Sequence, residues 1–292
     1  MRLSETDSLF YYKKFTAMKH YLIILAIVLS PSVVPGCEEL LKNLPVGTQT
    51  AAGLSGQEII EGLKTALVVG TDSSVYTTSR KDGFYRDEAI KILLPPEAQI
   101  IYENRNNSLL KVIGIDKKIE DAVLALNRAA EDAAKEAGPV FKNAVTGLSI
   151  TEGMSILKGK NPLAETSESA FDSTAATAYL RSSTYNDLKV AFAPKVNTSL
   201  DKVLVGNLSP NEIWDALATN YNKVASKSFG LIEPMKNPDL GSYVTEKALE
   251  GLFLKVSDEE IKIRRDPGKW ATTAAGNILQ RVFGSQKQFL TN

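Results

Sequence analysis

From residue 38 onward the chain contains neither a cysteine nor a histidine: its single thiol is Cys37 and its single imidazole is His20. A domain built from that stretch has no intrachain disulfide and no ordinary zinc site to staple it, so apolar packing alone must hold the fold. The same lack removes Ser-His-Asp and Cys-His nucleophilic catalysis. Any chemistry that remains runs on carboxylates, lysine, tyrosine, serine or oxygen-bound hard cations. With 43% apolar residues, there is ample core for one large domain or two small ones.

Cys37 follows an apolar run, Tyr21–Leu29, that itself follows Lys19 and His20. The run is about half the ~20 residues a spanning helix requires, and Pro31 and Pro35 interrupt what comes next, so an export signal is favoured over a membrane span. Val34-Pro35-Gly36-Cys37 reads as a lipid-attachment box with cleavage before Cys37. The expectation is a signal peptide over 1–36, with Met18 as an alternative start, and a lipid-attached tether over 37–54. A helical domain over 55–284 and a tail over 285–292 would follow. Cleavage removes Arg2, Lys13, Lys14 and Lys19 but only Glu5 and Asp7, so the 34 basic and 34 acidic residues become 30 and 32. A nearly balanced chain lacks the clustered cations that nucleic-acid binding needs.

The periodicity predicts an all-α, multi-helix bundle. Ser55-Gly-Gln-Glu58 is a capping box, and Ile59, Leu63, Ala66 and Leu67 carry a helix to about Val69. Residues 71–85 read as a polar loop, and Ala89–Leu94 is open to either a short strand or a helix. Asp116–Ala137 carries the clearest stripe, Ile119, Val123, Leu126, Ala130 and Ala133. Gly138-Pro139 breaks or kinks it, a second helix follows through Leu148, and Ser149 can start a third. Residues 159–170 suggest an exposed excursion. Helices are expected over 171–181 and 185–204, the latter bent or divided at Pro194. Ser209-Pro210-Asn-Glu212 marks another start. A long segment opens at Asp239, and a last helix, capped by Asp266-Pro267, carries Trp270, Ala274, Ile278, Val282 and Phe283 as far as Gly284.

Polar residues set into these helices are the candidate sites. Asn127 and Arg128 lie within helical reach of Glu131, either as a ligand-binding cluster or, more simply, as a helix-surface pair or an interhelical clamp. Tyr179 with Arg181, and Tyr243 with Lys247, suit an anionic head group, although buried tyrosines more often simply keep the hydroxyl paired. Asp258/Lys262 and Glu260/Arg264 have the spacing of solvated surface pairs. Ser155/Lys158 and Ser199/Lys202 match a serine–lysine spacing without its companion motifs. No phosphate loop, dinucleotide fingerprint or calcium loop occurs, so no cofactor or metal is expected.

Gly62-Leu-Lys64, Asp82-Gly-Phe84, Lys91-Ile92 with Leu94-Pro95, Leu126–Glu131, Ile156–Gly159, Ala175–Arg181 and Tyr243–Phe253 occur in order. They are followed by Glu259-Glu260, Ile263-Arg264, Pro267 and Val282-Phe283-Gly284. Together these blocks resemble the bacterial family catalogued as domain of unknown function 4197, over about residues 55–284. An extra polar loop between Gly159 and Ala175 departs from the pattern. The resemblance implies an exported helical envelope protein and supplies no reaction. The expectation is a non-enzymatic, lipid-anchored module binding another envelope protein or a small amphipathic ligand between its helices. The alternatives are a hydrolase using carboxylates or a Ser-Lys pair, and a structural scaffold.

Overall fold

The computed structural model describes residues 53–163 and 171–285, which form ten α-helices and two short 3-10 turns with no strand among them. In chain order the helices are α1 (Gly56–Thr78), α2 (Gln99–Asn104), α3 (Ser108–Val112), α4 (Ile115–Ala134), α5 (Ala137–Gly147), α6 (Gly153–Leu157), α7 (Ala175–Asp201), α8 (Pro210–Lys227), α9 (Leu240–Arg265) and α10 (Gly276–Gly284). The expected signal peptide, the lipid box at Cys37, and all of the tether but its last two residues lie outside the described residues. Leu54, assigned to that tether, is instead buried in the core.

Three long helices set the architecture: α9 packs along both α1 and α7, while α4 lies between α7 and α8. α5, α6 and α10 close the other side of α1. Phe84, Phe141, Phe192, Phe283 and Tyr221 are almost wholly buried, each removing apolar area equivalent to about 1.5–3 kcal/mol from water. Phe141 and Phe253 meet in a tilted ring pair with centroids 5.2 Å apart.

Both expected capping boxes form. Ser55 and Ser209 accept from the amides of Glu58 and Glu212, and each glutamate accepts from its serine's own amide. α1, however, runs nine residues past Val69, through a stretch expected to be loop. The reason is that Thr71, Ser74 and Thr78 continue the buried face of Leu63, Leu67 and Gly70. Two of those hydroxyls reach backbone carbonyls: Ser74 donates to Leu252 of α9 at 3.0 Å and Thr78 to Ser74 at 2.8 Å. Polar side chains so satisfied are inexpensive to bury, and their small size lets α9 approach.

α7 is likewise one helix where two were expected. Thr184 returns its hydroxyl to the Leu180 carbonyl at 2.6 Å across the polar gap. Pro194 is exposed, and the carbonyl that its missing N–H orphans belongs to Val190, also exposed, so water can satisfy it. The segment after Asp266 does the reverse. It forms a 3-10 turn over Pro267–Trp270, then further turns, and becomes α-helical only at Gly276. A Cβ at Gly276 would lie 2.2 Å from the Trp270 carbonyl oxygen, so the chain doubles back too tightly there for any other residue. The break between α4 and α5 falls at Lys135–Glu136, just before Gly138-Pro139, and α6 starts at Gly153 without a cap from Ser149.

Candidate functional site

Residues 79–95 have no regular structure of their own, and side chains from α4 and α9 hold them. Asn127, wholly buried, accepts from the Ile92 amide at 2.9 Å and donates to the Ile92 and Val123 carbonyls at 2.7 Å each. Its carboxamide thus gives Ile92 both bonds that a neighbouring strand would give, while Ala89 and Ile90 lie in a turn closed by the Ile90 and Lys91 amides on the Asp87 carbonyl, so Ala89–Leu94 forms neither a strand nor a helix. Glu131 accepts from the amides of both Phe84 and Tyr85 at 3.1 Å, and its other oxygen takes Arg128 at 2.5 Å.

Arg128 also reaches Asp82 at 2.7 Å and lies 5.6 Å from the Tyr85 ring centroid. Burial works against its charge, but the bonds to Asp82 and Glu131 outweigh that and raise its pKa. The bond from Arg128 is the main reason the Asp82 carboxyl titrates below its usual range. Asp82 itself sits at φ 70, followed by Gly83, where a Cβ would stand 2.5 Å from the carbonyl oxygens of Thr77 and Thr78. Tyr243 completes the clamp from α9, its hydroxyl donating to the carbonyls of Leu93 at 3.1 Å and Leu94 at 3.4 Å. Burial pushes that hydroxyl up to about 12.

Of the sequence candidates, Asn127, Arg128, Glu131 and Tyr243 are therefore internal braces. Asn127 does not meet Glu131; each holds a different piece of the same loop. Tyr179 is a brace too, donating to the Ser149 carbonyl at 2.8 Å.

The glutamate–arginine pair expected on a solvated face is a buried junction. Glu260 and Arg264 are 1% and 4% exposed. Glu260 accepts from the amides of Ala176 (3.0 Å) and Thr177 (2.7 Å) and from the Thr177 hydroxyl (2.7 Å). It thereby caps α7, whose own N-cap residue, Thr174, makes no side-chain capping bond. Arg264 binds Glu260 at 2.7 Å and donates to the carbonyls of Leu157 (2.8 Å) and Ile156 (3.0 Å) at the end of α6. A carboxylate at a helix start and a guanidinium at a helix end are both favourably placed. Val256, Glu260 and Ile263 all lie on the buried face of α9, and that phase was the sequence signal for burial. Asp258 and Lys262 do not pair with each other: Lys262 takes Glu259 at 2.7 Å and Asp258 faces Lys255 at 3.6 Å.

The serine–lysine spacings do not assemble a nucleophile and base. Ser199 and Lys202 both donate to Asp132, at 2.9 and 2.7 Å. Burial would raise Asp132, but the bonds from Lys135, Lys202 and Ser199 hold its carboxyl at about 2. Ser155 and Lys158 make no hydrogen bond to each other. Among the described residues no group of carboxylates, cysteine or histidine is arranged to hold a metal ion.

Arg181 and Lys247, drawn from two separate candidate pairs, meet in one place. A cleft of about 450 Å³ runs between residues 89–91, α7 and α9. Lys91, Arg181 and Lys247 supply its charge, Glu250 its one carboxylate, and Ile90, Phe253 and Leu254 its apolar surface. Glu250 is engaged by Lys247 at 2.8 Å. The Arg181 guanidinium lies 5.4 Å from the Tyr185 ring centroid and 5.8 Å from that of Phe253, and it makes no hydrogen bond or ion pair with a described residue. The braces are what position these walls: Asn127, Glu131 and Tyr243 fix the segment bearing Lys91, and Glu260 fixes the α7 end bearing Arg181. Lys91 was not a sequence candidate, because nothing local links it to two helices far along the chain. A second cleft, of about 500 Å³, is closed by its own charges, with Arg86 on Asp82 and Lys255 on Asp87 and Asp258.

No curated protein and no solved structure matches this chain. A family described as a protein of unknown function, DUF4197, matches residues 53–284, nearly the whole of the helical domain, and the chain belongs to that family.

Proposed function

We propose that the chain is a lipid-anchored module of the bacterial cell envelope that binds a small amphipathic anion in the α7/α9 cleft. The observation that carries this reading is Arg181, an exposed guanidinium held over two aromatic rings with its donors unengaged. Guanidinium donors match a carboxylate or phosphate, and stacking on rings preorganises them. Lys91 and Lys247 add charge on the facing walls, while Ile90, Phe253 and Leu254 offer an apolar chain somewhere to lie. Such a mixture of apolar surface and a few convergent polar groups is the usual composition of a ligand site. The lipid box at Cys37 supports the envelope address.

The full chain, purified from its own envelope, should carry a noncovalent acyl adduct in native mass spectrometry. It should also bind oleate saturably in solution. Arg181→Glu combined with Lys247→Glu should abolish both at an unchanged melting temperature. A clean mass together with no saturable oleate binding in the unsubstituted chain would overturn the reading.

A further inference from the structure

Beyond α8 the chain makes a turn whose side chains face the wrong way for a soluble surface. Phe229 is fully exposed and Leu231 is 79% exposed. Phe229 sits at φ 53, with Gly230 at φ 85 behind it; the left-handed region is costly for a bulky residue and persists only where the surroundings enforce it. Here they do. The Ser228 hydroxyl donates to the Ala225 carbonyl at 2.7 Å and accepts from the Ile232 amide at 2.9 Å. Asn222 pairs with both backbone groups of Met235, at 2.8 and 3.1 Å, and Tyr221 donates to the Glu233 carbonyl at 3.1 Å. Ile232 and Met235 are buried. The two apolar side chains are thus displayed on a braced tip.

The charge along this segment is mostly basic. From Asn222 to Asp239 stand Lys223, Lys227 and Lys236 against Glu233 and Asp239, and Asp239 is engaged as the cap of α9. None of the three lysines forms an ion pair with a described residue. Lys223 and Lys227 are one helical turn apart and share a face of α8.

We propose that this tip docks on a bilayer bearing anionic head groups, with Phe229 and Leu231 entering the interface while the three lysines meet lipid phosphates. An aromatic and an aliphatic side chain exposed on a braced turn, with exposed lysines on the flanking segments, suit the boundary between head group and acyl chain. Two side chains offer far less area than a stable protein–protein interface buries, and the lysines match a phosphate surface. The inference needs neither the cleft nor its ligand.

The test uses the full chain carrying Phe229→Trp, mixed with phosphatidylglycerol vesicles whose acyl chains are brominated. The unsubstituted chain, with Trp214 and Trp270, supplies the background. Emission quenching should rise above that background with phosphatidylglycerol and not with brominated phosphatidylcholine. Adding Lys223→Glu, Lys227→Glu and Lys236→Glu should raise the lipid concentration required at least tenfold at an unchanged melting temperature. No added quenching would overturn the proposal, as would quenching indifferent to the lysines. So would a lipid-free dimer that Phe229→Ser with Leu231→Ser converts to monomer, which would assign the tip to a second copy.

Discussion

Two carboxylate–guanidinium clamps in this molecule solve the same problem at different depths. In each, one glutamate accepts from two consecutive backbone amides, 84 and 85 for Glu131 and 176 and 177 for Glu260, and an arginine on the same helix ties the glutamate to something distant. Glu260–Arg264 is sealed, and Arg264 ends on two carbonyls of α6. Glu131–Arg128 lies nearer the edge: the Arg128 side chain is 15% exposed, and its free arm ends on Asp82, 23% exposed. The deeper clamp joins helix ends to one another, whereas the shallower one secures a loop. Depth decides what removal costs, because a buried charge that loses its partner cannot recruit water.

The largest effect should therefore come from the deep clamp. Glu260→Ala is expected to lower the unfolding free energy in urea by about 3–5 kcal/mol. Glu260→Leu with Arg264→Met should not recover it, although hydrophobic replacement of buried ion pairs is often neutral. The amides of Ala176 and Thr177 and the carbonyls of Ile156 and Leu157 would still be orphaned. Full recovery in the double variant would show that the ion pair, and not the capping, carries the junction.

Next in size, Arg128→Ala should cost about 1–2 kcal/mol, since water can reach Asp82 and the buried Glu131 keeps its two amide donors. Amide exchange should rise at Phe84 and Tyr85 while α7 keeps its protection. A loss as large as that of Glu260→Ala would erase the distinction between the clamps.

The smallest effect should come from Tyr243→Phe, about 1 kcal/mol at neutral pH for its hydrogen bonds to the loop. Its pH dependence has a definite sign. The folded hydroxyl titrates at about 12, above the ~10 of an unfolded tyrosine, so folding favours the neutral form. That contribution is fully present below pH ~10 and is lost as pH rises toward 12. The phenylalanine variant should show a shallower alkaline decline in melting temperature, and an unchanged slope would remove Tyr243 from the clamp.

Much of this arrangement was legible in the residues. The capping serines announced the starts of α1 and α8, and the stripe through Ile119 and Val123 announced α4. Asn127 and Glu131 continue that stripe at steps of four, as Glu260 continues Val256 at the same step; a polar residue in core phase is the trace of a buried brace. Other features had no local trace. The second half of α1 is hydroxyl-rich and becomes helix because α9 lies against it, and α7 survives Pro194 because that face meets water. The cleft joins Lys91, Arg181 and Lys247 from three segments, so only the folded chain brings it into being.

The amide of Asp172 donates to the Gly159 carbonyl at 2.8 Å, with the Phe171 ring packed beside that glycine, so the chain departs and returns at a single pinned gate. Lengthening a segment whose ends are already joined costs only a logarithm of its length. Evolution, or an engineer inserting a reporter peptide, can extend the chain there and leave the ten helices undisturbed.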